Sequence, residues 1–206
     1  MEWPMRILRD RSWMLFVDGE NFAKAGQRSL QAAGIKPAPG PYWRKDVYLW
    51  ARDGDAHWRA IEPHRSSGSS IMFHSVPAAD LRRAYYYTTD TAAGAEWTET
   101  RLALRALGFE PRLFQRRQGR SKAVDVALAS EMLALGAAGQ YEAAVVVAGD
   151  GDYVPLLEAV KRLGLHVGVA FLAADTSPEL RIAADEYIDL TEHLVQSWQP
   201  EGKADE

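Results

Sequence analysis

The sequence predicts an α/β fold, a Rossmann-like three-layer sandwich with a mostly parallel central sheet. Three observations carry this expectation. Short apolar, β-branched runs alternate along the chain with amphipathic stretches at helical spacing. Two of the runs, WMLFVD and AAVVVAGD, are apolar along their length, the pattern of strands buried on both faces of a sheet. Each ends in an acidic, glycine-containing turn that opens an amphipathic segment, as a strand-to-helix junction does.

Taken in order, residues 1–12 read as an N-terminal extension and 13–195 as one domain. WMLFVD is the first strand, and NFAKAGQRSLQAAG is a helix stopped by Gly34. The stretch 36–75 is less regular. It holds PAPGPYW, a short strand in DVYLWA and the loop-like RSSGSS, and reads as an elaborated insertion whose Trp43, Trp50 and Trp58 are mainly core. LRRAYYYTT has the β-branched and aromatic bias of a strand. EWTETRLALRALG follows as a helix, with Trp97, Leu104 and Leu107 near one face and Gly108 at its end. FEPRLF is a short strand. VDVALASEMLALGAAG is a helix on the spacing of Val124, Leu128, Met132 and Leu135. The strand EAAVVVAG, the helix YVPLLEAVKRLG and the strand LHVGVAF continue the alternation. SPELRIAADEYIDL supplies a last helix and a short strand, and residues 196–206 read as an acidic, flexible tail.

Composition narrows the function. The chain of 206 residues is 47% hydrophobic and 25% charged, within the range of an ordinary globular domain. It has no cysteine, which excludes disulfides and thiolate metal sites and fits a reducing cytoplasm. No apolar run approaches the ~20 residues of a membrane span, so no membrane partner is expected. The opening MEWPMRILRDRS lacks the apolar core of a secretory leader. The net charge of −4 argues against a polyanionic partner until its distribution is examined. Between Pro111 and Val124 lie Arg112, Arg116, Arg117, Arg120 and Lys122, with no acid among them.

The chemistry is concentrated in VVVAGDGDYVPLL. Asp150 and Asp152 sit between glycines at the end of a buried run, where like charges repel and burial raises the cost of each. A bound cation would offset that cost. In a doubly wound sheet, ligand sites form beyond the C-terminal ends of the strands. Asp18 and Asp150 end two of them, and Asp125 opens the helix before the second. Asp18, Asp125, Asp150 and Asp152 are therefore expected at one rim, with Asn21 as a neutral oxygen ligand. That all-oxygen set suits Mg²⁺ or Mn²⁺ rather than zinc. A capping role for any single Asp is the plainer reading; convergence of several is what favours a metal.

FVDGEN, KAVDVALASEML, VVVAGDGDYVPLLEAVKRLG and SPELRIAADEYIDL, in this order, resemble the NYN domain, a family of nucleases related to the PIN domains and flap-type nucleases. The resemblance runs from about Trp13 to Leu190 apart from Lys36 to Ser75, and GDGDY with its downstream proline is its most specific piece. It implies a PIN-like sheet carrying an acidic, Mg²⁺- or Mn²⁺-dependent site for RNA cleavage. Asp18 and Asn21 match the first motif, Asp125 the second, and Asp150 and Asp152 the third. Two positions depart from the pattern: Glu131 stands where an aspartate is common, and Ala148 where a serine or threonine often precedes GDGD. Six residues along a helix also place Glu131 about 120° around the axis from Asp125. It is expected behind the ligands rather than among them.

No Ser–His–Asp or Cys–His arrangement is suggested, so the expected chemistry is hydrolysis of a phosphodiester by metal-activated water. The strip RLFQRRQGRSK lies directly before Asp125. Its Arg112, Arg116, Arg117, Arg120 and Lys122 are expected to grip phosphates, with Lys122 foremost. Asp185 is expected to help order the rim through hydrogen bonds. His57, His64 and His74 match no familiar ligand spacing and read as structural or surface residues. A domain that holds RNA without cutting it is the alternative, and a second copy of the chain is a further candidate partner. A phosphohydrolase of the DxD type is disfavoured, because the first strand ends in DGEN.

Overall fold

The computed structural model describes residues 6–8, 11–52, 81–91, 94–115 and 122–199. In chain order the elements are β1 (Trp13–Asp18), α1 (Gly19–Ala32), a hairpin of β2 (Trp43–Arg44) and β3 (Tyr48–Leu49), β4 (Leu81–Asp90), α2 (Ala95–Ala106), β5 (Glu110–Gln115), α3 (Lys122–Ala137), β6 (Ala143–Val147), α4 (Val154–Arg162), β7 (His166–Phe171), α5 (Pro178–Ala183), β8 (Glu186–Asp189) and α6 (Thr191–Trp198). Six strands form one sheet in the order β5-β4-β1-β6-β7-β8. Every pairing in it is parallel. The α/β class and the strand-by-strand reading are thereby met.

The alternation of side chains along β1 and β6 sorts the core into two layers. Trp13, Leu15, Val17, Val145 and Val147 face one way, towards Phe22 and Leu30 of α1, the hairpin, Leu104 of α2, and Leu194 and Trp198 of α6. Met14, Phe16, Ala144 and Val146 face the other, towards Leu128 and Met132 of α3, Leu157 of α4 and Leu180 of α5. The sheet is thus covered on both sides, which is why its strands read as unbroken apolar runs. The chain grows outward from β1 through β4 to β5, then returns to β6 and grows the other way. The crevice between the ends of β1 and β6 is the point at which strand order reverses.

Two boundaries differ from expectation, whereas Trp43 and Trp50 of the insertion are core as expected. Ile7 and Leu8, in the supposed extension, are buried in the first layer. The 36–75 insertion contributes its first part to the core: Trp43, Val47, Leu49 and Trp50 are buried, and Tyr86 Oη accepts from the N–H of Leu49 at 3.1 Å. The tail read as starting at 196 begins inside α6, and Trp198 there is only 7% exposed. Trp58, His57, His64 and His74 lie outside the described residues. Among the described residues, no helix is long and apolar enough to cross a membrane.

Candidate functional site

Asp18 is the last residue of β1 and the N-cap of α1, and its Oδ1 accepts the backbone N–H of Asn21 at 3.0 Å. The Asn21 side chain in turn reaches across the crevice, its Oδ1 accepting the N–H of Gly149 at 3.0 Å. This bond ties the end of β1 to the end of β6. Asp150 caps the turn after β6, its Oδ1 accepting the N–H of Asp152 at 3.0 Å. Asp125 lies in the first turn of α3. The hydroxyl of Tyr153, the last residue of GDGDY, lies 2.9 Å from Asp18 Oδ2 and 3.1 Å from Asp125 Oδ1. One phenol therefore joins the first and second acidic motifs, and it arrives on the third.

Two glycines are required here by close approach rather than by a sharp turn. A Cβ on Gly19 would fall 1.9 Å from the ring of Tyr86, and one on Gly149 would fall 2.1 Å from the carbonyl oxygen of Asp175. Neither glycine has a positive φ. Their role is to let β4 and the Asp175 loop pack tightly against the strand ends.

The electrostatics show what the clustering costs. Asp18 is 5% exposed. Burial pushes its pKa from 3.8 up to about 7, against the opposing pull of the Asn21 N–H and the Tyr153 hydroxyl, while Asp125 and Glu20 add to the rise. Asp125, half-buried, is also raised, first by burial and then by the charges of Asp150, Asp152 and Glu20. Asp150 and Asp152 are exposed to solvent. The site is thus a gradient from a desolvated floor at Asp18 to an open rim at Asp150 and Asp152. Among the described residues, no three His, Asp or Glu side chains already converge as a cluster that could hold a metal ion. The donors are nevertheless all oxygens, and two of them are carboxyls held unfavourably close. That donor set fits a hard divalent cation.

A family model described as the NYN domain matches residues 12–191. The chain belongs to the NYN domain family. The matched span runs from before β1 to the start of α6, so it includes every element that builds the acidic crevice. This NYN fold is also similar to the crystal structure of a protein of unknown function from Vibrio parahaemolyticus. The two share 18% identity over 92% of this chain and 98% of that one, with a TM-score of 0.61, a likeness of fold. No curated protein matches the sequence.

Other expected site residues of the NYN domain lie elsewhere. Glu131 faces the sheet from α3, where it accepts from Arg112 Nε at 2.9 Å, Arg112 Nη2 at 2.6 Å and Tyr87 Oη at 2.8 Å. It has no bond to the acids of the crevice among these, and the paired guanidinium and the phenol together hold its pKa below the ordinary value against burial. Arg112 is correspondingly committed: beyond that two-pronged pair, its guanidinium lies 4.9 Å from the centre of the Tyr85 ring. This engagement ties it to α3 and the sheet edge. The place of Asp185 is corrected. It accepts the N–H of Val167 at 2.8 Å and pairs with Lys161 at 2.9 Å, at the opposite end of β7 from the rim. Arg116, Arg117 and Arg120 lie outside the described residues, as does the side chain of Lys122.

Two residues escaped the sequence reading. Tyr153 looked like the first residue of a helix, although its place directly after two acids was a signal. Glu20, in DGEN, is 7% exposed and accepts from Lys24 Nζ and Thr89 Oγ1, close enough to Asp18 and Asp125 to raise both.

Proposed function

We propose that this NYN domain is a Mg²⁺- or Mn²⁺-dependent endoribonuclease acting at the crevice between β1 and β6. The observation that carries the reading is the pairing of Asp18 and Asp125 through one hydroxyl, at a burial that leaves both carboxyls hard to ionise. Family membership supports a nuclease-like fold, and the site sits where such a sheet places its ligands. Asp18, Asp125, Asp150 and Asp152 would hold the cation, with the remaining lone pair of Asn21 Oδ1 as a neutral ligand. The ion would lower the pKa of a water for attack on phosphorus and neutralise charge on the departing oxygen.

The chain's own contribution is positional. Asn21 keeps the two strand ends at a fixed spacing, and the N–H of Asn21 orients Asp18. Asp150 and Asp152, open to solvent, form the face that a phosphodiester would meet. Arg116, Arg117 and Arg120 precede α3 in sequence and Lys122 is its first residue; together they would supply the positive charge that an RNA backbone needs.

The test uses labelled single-stranded and hairpin RNA with Mn²⁺, Mg²⁺ or EDTA, beside Asp150→Asn. Cleavage that requires metal and disappears in the variant is the expected result. Metal-dependent cutting at the parent rate by Asp150→Asn would remove that residue from the site. Binding without cutting, in parent and variant alike, would favour the alternative of an RNA-holding domain. Ala148, which brings no hydroxyl to the turn before GDGD, is the observation that speaks for that alternative.

A further inference from the structure

We propose that Tyr153 is a hydroxyl latch: it spans Asp18 and Asp125 and competes with a divalent cation for their carboxylates. The inference rests on the metal-dependent reading above and adds a control element to that site. Its basis is geometric. The hydroxyl contacts Asp18 Oδ2 at 2.9 Å and Asp125 Oδ1 at 3.1 Å, so it stands between the two less exposed of the four acids assigned to the cation. Asp18 cannot easily turn away, because its other oxygen is held by the N–H of Asn21. The ring is 3% exposed and packs in the second core layer. Its backbone N–H donates to the carbonyl of Asp150 at 3.2 Å, in the same turn that carries Asp150 and Asp152. Latch and outer acids therefore share one short segment.

A phenol has one proton and donates it to one acceptor at a time. It can satisfy Asp18 or Asp125, while the second carboxylate faces an oxygen lone pair. A divalent cation held by the two carboxylates would compete with the hydroxyl for their oxygens. The hydroxyl lies within hydrogen-bond distance of both carboxyls and acts as a donor to them. The hydrogen bond stabilises the metal-free state only, and thereby counts against affinity. A hydrogen bond to a charged group corresponds to roughly tenfold or more in a dissociation constant.

The experiment compares the full chain with Tyr153→Phe, which keeps the ring and removes the hydroxyl. Mn²⁺ is titrated by calorimetry, and melting is followed in EDTA and in Mn²⁺. The latch predicts that Y153F binds Mn²⁺ roughly tenfold tighter. It also predicts that Y153F melts lower than the parent in EDTA, with the gap closing in Mn²⁺. Equal or weaker Mn²⁺ binding by Y153F, beside a parent that binds, overturns the latch and leaves the metal reading standing. Failure of both proteins to bind Mn²⁺ removes the metal reading, and the latch falls with it. A second measurement needs only the parent sequence: with tyrosine labelled at ¹³Cζ, Mg²⁺ should shift the Tyr153 signal as the hydroxyl changes partner. A signal unmoved at saturating Mg²⁺ overturns the proposal.

Discussion

Asp18 occupies a position where ionisation is expensive, and this makes the stability of the metal-free protein depend on pH in a definite direction. Its folded-state pKa of about 7 lies above the 3.8 of an exposed aspartate, so between these values the folded state holds a proton that the unfolded chain has released. Stability from this group is fully present below pH 3.8 and is lost as pH rises through 7. Asp125 is raised as well and contributes in the same sense. Asp18→Asn keeps an oxygen for the N–H of Asn21 and cannot ionise, so the cost disappears. In EDTA, its stability relative to the parent should rise between pH 4 and pH 8 by up to about 4 kcal/mol, the energy of a shift of this size. Urea midpoints measured at both pH values check this. A constant difference between parent and variant would mean that Asp18 titrates normally.

At the scale of single elements, α3 shows how one helix serves two separate networks. Its first turn brings Asp125 to the crevice, while Glu131 further along reaches back to Arg112 on β5 and Tyr87 on β4. Removing Arg112 should therefore loosen the join between α3 and the sheet edge. Arg112→Ala is expected to cost about 1–2 kcal/mol in urea melts, a moderate value because the pair is partly exposed. The slope of log K for RNA against log salt should stay at the parent value, whereas Arg116, Arg117 and Arg120 changed together to Ala should flatten it. A flattened slope in Arg112→Ala would place that residue in the RNA-binding strip. The turn after β6 is constrained differently. Gly149→Ala places a methyl group against the Asp175 carbonyl and the Phe171 ring, which should destabilise the fold by about 1–3 kcal/mol. An unchanged urea midpoint would show that the Asp175 loop yields freely.

Across the whole molecule, what could be read in the sequence follows the length and regularity of each signal. β1 and β6 were legible because a strand covered on both faces must be apolar at every position, and Asp18 and Asp150 were legible because they interrupt those runs. The Tyr153 bridge was not, since joining Asp18 to Asp125 depends on tertiary distances that no local pattern encodes. The β2–β3 hairpin was only partly legible, as strands of two residues are too short for alternation to show. α6 was missed for a similar reason: its eight residues bury only Leu194 and Trp198, one helical turn apart, which a short polar tail could match by chance. Yet α6 closes the first core layer. Trp198 donates from Nε1 to the carbonyl of Trp50 at 3.0 Å, and the helix packs on α1, whose start carries Asp18 and Asn21. Trp198→Ala should therefore cost about 3–5 kcal/mol, while Trp198→Phe, which keeps most of the packing and loses the hydrogen bond, should cost about 1–2 kcal/mol. Urea unfolding of Trp198→Ala, followed by circular dichroism, should remain one transition with a lowered midpoint, because α6 shares its core layer with the sheet and α1. An unchanged midpoint would mean that α6 contributes nothing and that the ordered domain ends before it. Two transitions would mean that the hairpin and α6 form a unit separable from the sheet that carries the acids.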